Sequence, residues 1–157
     1  MATSNWRDVG EFHEKFGLPH VKGDPGPREF DDEAFRFRYK FLREELDEFS
    51  DGYFDGDHAK MADSLVDLVY VALGTAHMLG YPWQEIWNEV QRANMAKVRA
   101  QPDGSDSLRG SSLDVVKPEG WQPPDVEAIM ARWGFPTPDE VQDQRLTNVP
   151  VSDIVEG

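Results

Sequence analysis

The chain has no cysteine among its 157 residues, so disulfides and thiolate chemistry are excluded. Positive charge is scarce. Sixteen lysines and arginines stand against 30 aspartates and glutamates, for a net charge of -14. Such a surface repels nucleic acid and anionic membrane, and neither is expected as a partner. An anionic substrate would need a metal ion or a few well-placed cations. The N-terminus lacks the basic and apolar regions of a signal peptide. The longest apolar run is broken by Asp67, Thr75 and His77 and does not read as membrane-spanning. Internal repeats and hairpin signals are also lacking. These absences leave a soluble, cytoplasmic, all-α domain, long enough to bury a core.

What is present is helical periodicity. Trp6, Val9, Phe12 and Phe16 recur at helical spacing over 5–17, with Gly17 as the stop. Residues 18–28 hold three prolines and two glycines and read as a loop. A second helix is predicted from Phe30 or Asp31 to about Ser50, ended near Gly52. A third runs from about Asp57 to Leu79, with Gly80 as its C-terminal stop. Pro82 opens a fourth, about Trp83–Arg99, with Ile86, Trp87, Val90, Ala93 and Asn94 facing inward. Residues 101–112 read as a flexible loop, and Val126–Trp133 as a short helix capped by Asp125. The expected organisation is a four-helix domain over 1–135 and an extended tail over 136–157.

Two stretches carry the chemistry. FLREELDEF places Glu44, Glu45 and Glu48 within five positions of the second helix. At about 100° per residue, Ala34, Phe37 and Phe41 fall within about 40° of Phe30, and Glu48 returns to that line. The face is thus aromatic early and acidic late. A second apolar stripe, Phe35, Leu42, Leu46 and Phe49, lies farther round. In DSLVDLVY, Asp63 and Asp67 share one side of a helix that is apolar on nearly every side, which predicts burial. Ionised carboxylates there are costly unless paired or bound to metal, and bases are few. Bound divalent cations are the economical explanation.

Other positions have two readings each. His13, beside Phe12, is either a surface or half-buried histidine or a contact to base or phosphate. Gly74 marks close approach of a backbone or ligand, or tight helix packing. Asn94 and Lys97 share a helix side, where they form a solvated helix end or hold a nucleotide. Trp121 between prolines makes a rigid apolar plug, and Lys117 could reach phosphate.

The order EE-x-x-E, a gap, then an acid pair ending in DLVY resembles the MazG-like all-α nucleotide pyrophosphohydrolases. LVDLVYVALGTA, VQRANMAKV and KPEGWQPPD are similar to the phosphoribosyl-ATP pyrophosphohydrolase-like branch. The likeness runs from about Phe12 to Asp125. The pattern is E-x-x-E then E-x-x-D: Glu45, Glu48 and Asp67 match, but Ser64 stands where a glutamate is expected and Asp63 is one position early. The resemblance implies a four-helix MazG-like bundle with a C-terminal extension. It implies a Mg²⁺-dependent hydrolase, Mn²⁺ substituting, that cuts a nucleoside triphosphate or phosphoribosyl-ATP-like nucleotide to monophosphate and pyrophosphate. Glu45, Glu48, Asp63 and Asp67 would be metal ligands. One of Glu44, Glu45 and Glu48 would act as base towards water. Lys97 and Lys117 would hold phosphate and Asn94 would orient sugar or base, with His13 and Trp121 as further substrate-binding residues. A homodimer or homotetramer is the implied assembly. The alternative is a non-catalytic divalent-cation-binding helical module.

Overall fold

The computed structural model describes residues 4–142. Seven elements follow in order: α1 (Asn5–Lys15), α2 (Asp32–Asp55), α3 (His58–Leu79), α4 (Trp83–Met95), β1 (Val98–Arg99), β2 (Val115–Val116) and α5 (Val126–Arg132). The architecture is all-α, as expected, with a single two-residue antiparallel ladder, Val98 against Val116 and Arg99 against Val115. Contacts divide the chain at Tyr81–Pro82 into two compact units.

The first unit is a hairpin of α2 and α3 with α1 packed on α3. Each helix starts on an acceptor side chain: Ser4 for α1, Asp31 for α2 and Asp57 for α3 take an N–H of their first turns. Helix α2 is a turn longer than expected. It passes through Gly52 and ends at Gly56, which takes the left-handed conformation (φ 68). Gly52 is required by packing rather than by termination. A Cβ there would stand 2.9 Å from Met61 Cγ and 3.1 Å from Met61 N, so α2 and α3 touch backbone to backbone.

Helix α3 is not buried on every side. Leu65, Val66 and Val69 are exposed, while Ser64, Val71, Leu73, Gly74, Ala76 and His77 are buried. Asp63 and Asp67 are exposed as well, so the burial penalty expected for them does not arise. Asp67 borders the buried Ser64–Val71 line, about 40° round the helix from Val71, and Asp63 lies farther from it. By length and composition α3 could cross a membrane. In this fold α1 and α2 both pack on it.

Three side chains fasten this unit. Arg38 of α2 is buried and grips one turn of α3, donating Nε to Thr75 Oγ1 (2.9 Å) and Nη2 to the Val71 carbonyl (2.6 Å). His77 lies flat on Trp6, with ring centroids 3.4 Å apart. Its Nε2 donates to the Trp6 carbonyl (2.9 Å) and its Nδ1 accepts from the Val21 N–H (3.3 Å), which fixes a neutral tautomer. His13 is equally buried and donates Nδ1–H to the Pro19 carbonyl (2.7 Å). The surface reading of His13 is therefore wrong; it is a core residue.

Burial holds both imidazoles below their ordinary value, with Arg38 and His20 adding to this at His13, and His13, His20 and Arg28 at His77. A histidine lowered in the folded state contributes stability that is complete above the unfolded value near 6.5 and is lost as pH falls below it. The melting temperature should therefore fall as buffer pH drops from about 7 to 5. The steepness of that fall reports the protons taken up by the two imidazoles on unfolding. Calorimetry on His77→Gln, which keeps a neutral amide there, should show a shallower slope.

The second unit is built from α4, the ladder and α5. Helix α4 stops at Met95, four residues short of expectation, because Val98 and Arg99 extend to pair with β2. Trp87, expected to face inward, is exposed. Glu89 joins α4 to α5. It accepts from Arg92 and from the Asp125 N–H, and the arginine hydrogen bond is the main cause that lowers its carboxyl to about 2. Glu85 does the same for Arg132 and Trp133. Residues 101–112 are not a featureless loop: Arg109 donates to both oxygens of Asp114, and Asp106 accepts from the Gln101 N–H. The tail expected to be extended from 136 begins with a helical turn over 138–142, capped by reciprocal Thr137–Glu140 hydrogen bonds. Residues 143–157 of that tail lie outside the described residues.

Candidate active site

Helices α2 and α3 bring the acidic stretches of the sequence side by side. Glu45 is the buried member at 7% exposure, and Glu44, Glu48, Asp63 and Asp67 are exposed around it. Burial raises the Glu45 carboxyl first. Asp67, Glu48, Glu44 and Asp63 raise it further, in that order. All four thus act on Glu45, Asp63 the least. Lys40 pairs with Glu44 at 3.6 Å. Among the described residues no cation stands within ion-pair distance of Glu45, Glu48, Asp63 or Asp67.

The donors suit a hard divalent cation in kind, since all are carboxylate oxygens. They stand on two helices that pack on each other. Among the described residues no three His, Asp or Glu side chains stand close enough to enclose an ion, so ligation requires side-chain rotation. Ser64, at the position of the expected glutamate, is 2% exposed and donates Oγ to the Lys60 carbonyl (2.9 Å).

A cavity of about 340 Å³ opens beside Glu45 and Asp67. Phe12, Phe41, Tyr70 and Val71 make its apolar walls, and His13 and Arg38 its other polar groups. Arg38 is seven residues, about 10 Å, from Glu45 along α2, so the cavity has an acidic end and a cationic end. A Cβ on Gly74 would stand 2.7 Å from His13 Nε2 and 2.9 Å from Arg38 Nη2. That glycine admits these two side chains, which is the tight-packing reading of Gly74. Sequence reasoning missed Arg38, Phe41 and Tyr70. The one signal for Arg38 is its position two turns before Glu45, on that side of α2.

The remaining predicted residues belong to the second unit, where four of them meet. Lys97 Nζ donates to Asn94 Oδ1 (2.8 Å). Lys97 and Lys117 each approach the Trp121 ring, at 5.8 and 4.6 Å from its centroid. Trp121 is held by its Nε1–H on the Ala93 carbonyl (2.7 Å). Neither lysine has a carboxylate partner among the described residues.

The family model for phosphoribosyl-ATP pyrophosphohydrolase matches residues 9–94, more than half of the chain. The chain belongs to this family. No curated protein matches it. As a member of the phosphoribosyl-ATP pyrophosphohydrolase family, it falls within the MazG-like nucleotide pyrophosphohydrolase superfamily. The matched stretch contains all five acids, the Arg38–His13 end of the cavity and Asn94. It ends before Lys97, Lys117 and Trp121.

Proposed function

We propose that the chain is a Mg²⁺-dependent pyrophosphohydrolase that converts a nucleoside triphosphate to the monophosphate and pyrophosphate. The observation that carries this is Glu45, a buried carboxylate crowded by four others without a cationic partner, at the edge of a cavity in this family's domain. Glu45, Glu48 and Asp67 would hold the ion, with Asp63 as a further ligand. When bound, Mg²⁺ or Mn²⁺ neutralises charge on the phosphates. Water attacks the α-phosphorus, the bond to the bridging α–β oxygen breaks, and pyrophosphate leaves. A carboxylate of the Glu44, Glu45 and Glu48 group takes the proton of that water. A malachite-green assay with added inorganic pyrophosphatase tests the reading across a nucleotide panel. Phosphate release that requires both Mg²⁺ and the added pyrophosphatase supports it; none with any nucleotide refutes it.

Ser64 gives weight to a second reading, a divalent-cation-binding module without catalysis. Its hydroxyl is committed to the Lys60 carbonyl, so one expected ligand is missing. Under that reading Mg²⁺ stabilises the fold and the panel shows no turnover.

In the second unit, Lys97 and Lys117 on the Trp121 ring form an anion platform, with Asn94 fixing Lys97. Lys117→Ala should weaken binding of inorganic pyrophosphate by about tenfold, roughly 1.4 kcal/mol, by calorimetric titration.

A homodimer or homotetramer completes the proposal. On α2, Phe35, Tyr39, Leu42, Leu46, Phe49 and Tyr53 repeat at steps of four and three, the spacing of a helix–helix seam. Phe35, Tyr39, Leu46 and Tyr53 are exposed in the single chain. A second copy supplies the matching seam. The double variant Tyr39→Glu, Leu46→Glu should weaken assembly at least 100-fold by light scattering. An unchanged mass would place the interface elsewhere.

A further inference from the structure

The loop after α1 is tied down by imidazoles at two points, and only one of the two ties survives an added proton. His13 donates Nδ1–H to the Pro19 carbonyl, a bond that an imidazolium makes as well as an imidazole does. His77 is different. Its Nδ1 accepts from the Val21 N–H (3.3 Å), so a proton on Nδ1 sets two donors face to face. Its Nε2–H on the Trp6 carbonyl and its stack on the Trp6 ring both tolerate the charge. The segment between Pro19 and Gly26 has little else to hold it. His20 spends Nδ1–H on the Leu18 carbonyl, and its Nε2 is buried without a hydrogen-bond partner among the described residues. Lys22 pairs with Glu14, but both side chains are more than half exposed, and such pairs contribute little. At the far end the Gly26 N–H donates to the Gly80 carbonyl (2.9 Å).

We propose that residues 20–25 form an acid-released flap, hinged at Pro19 and Gly26 and latched by His77 through the Val21 N–H. Burial is the main obstacle to a charge on the closed His77 ring. His13 from α1 and His20 and Arg28 from the loop, all of them bases, oppose it further, and Arg38 of α2 acts on His13 behind it. Opening wets the ring, carries His20 away from it and lets His20 Nε2 meet water. The ring therefore binds a proton more readily with the flap open, and acid favours the open form. The open-to-closed ratio rises up to about tenfold per pH unit while the open form alone is protonated. Leu18, in the cavity wall, precedes the Pro19 hinge and keeps its N–H on the His13 carbonyl (2.8 Å), so the flap opens beside the cavity and leaves that wall in place.

The proposal needs neither metal nor nucleotide, so its outcome is separate from that of the hydrolysis assay. Hydrogen exchange followed by NMR on the full chain tests it, with long-range ¹H–¹⁵N spectra reporting the protonation of the His77 ring. Between about pH 7.5 and 5.5 the Val21 amide should lose protection about fivefold or more, after correction for intrinsic exchange, in step with protonation of His77 Nδ1. The Leu18 and Gly26 amides should change by less than about twofold. A smaller loss at Val21, comparable losses at all three amides, or a loss at Val21 while His77 stays neutral would overturn the proposal. In a folded His77→Gln protein, whose amide can serve both partners without titrating, the change at Val21 should shrink to within about twofold, and its persistence would also overturn the proposal. If His77→Gln does not fold, agreement between the Val21 and His77 midpoints in the unaltered protein decides.

Discussion

Replacing Glu45 by Gln, or Asp67 by Asn, should lower Mg²⁺-dependent hydrolysis by about a thousandfold or more while leaving the fold as stable as before or more so. The two effects have one cause. Glu45 is buried among like charges that raise its carboxyl, with burial the larger contribution and Asp67 the next. A carboxyl raised in the folded state contributes stability at low pH that is lost as pH rises from the ordinary glutamate value through the raised one. Glu45→Gln abolishes that loss, so its melting temperature at pH 7 should equal or exceed that of the unaltered protein. Steady-state rates and calorimetry on the same preparations check both. Unfolding of either variant would make the residue structural. Full activity would remove it from the site.

Ser64→Glu should have the largest effect on stability. Ser64 is 2% exposed, three residues before Asp67 and seven before Val71, whose carbonyl Arg38 holds. A carboxylate placed there enters the α2–α3 contact and an already acidic cluster. An uncompensated buried charge costs about 3–5 kcal/mol, which should unfold much of the protein in chelator. If this position points at the ion, Mg²⁺ should restore the stability, and do so more steeply with concentration than in the unaltered protein. Denaturant titrations with EDTA and with millimolar Mg²⁺ read both halves. Destabilisation that Mg²⁺ does not relieve would mean that the serine has turned this position into plain core. Asp63, exposed and the weakest of the acids acting on Glu45, is the proposed ligand whose loss should matter least.

Local chemistry made much of this legible. Asp57 and Gly80 bound α3, Asp125 caps α5, and EE-x-x-E with the later aspartates falls on two helices that meet. What the sequence hid depends on distant partners. Gly52 reads as a helix stop until Met61 is seen pressing on it. Arg38, in the stretch RFRYK, looks like part of a solvated face; only the Val71–Thr75 turn, more than thirty residues away, explains its burial. His13 looked like a surface residue because its partners, Pro19 and the open face of Gly74, are set by how the loop after α1 returns. The apolar character of α3 suggested burial on all sides, whereas α1 and α2 leave Leu65, Val66 and Val69 uncovered. A ladder of two residues is too short to leave a periodic signal, and it is what shortens α4.

The most direct test of the proposed chemistry is the fate of the attacking oxygen. The protein would be incubated with Mg²⁺ and a nucleoside triphosphate in water enriched in ¹⁸O, and the products weighed by mass spectrometry. Attack at the α-phosphorus places one ¹⁸O in the monophosphate and none in the pyrophosphate, and EDTA or Asp67→Asn should abolish both products. Label in pyrophosphate, release of nucleoside diphosphate and phosphate, or no Mg²⁺-dependent product from any nucleotide would contradict the proposal.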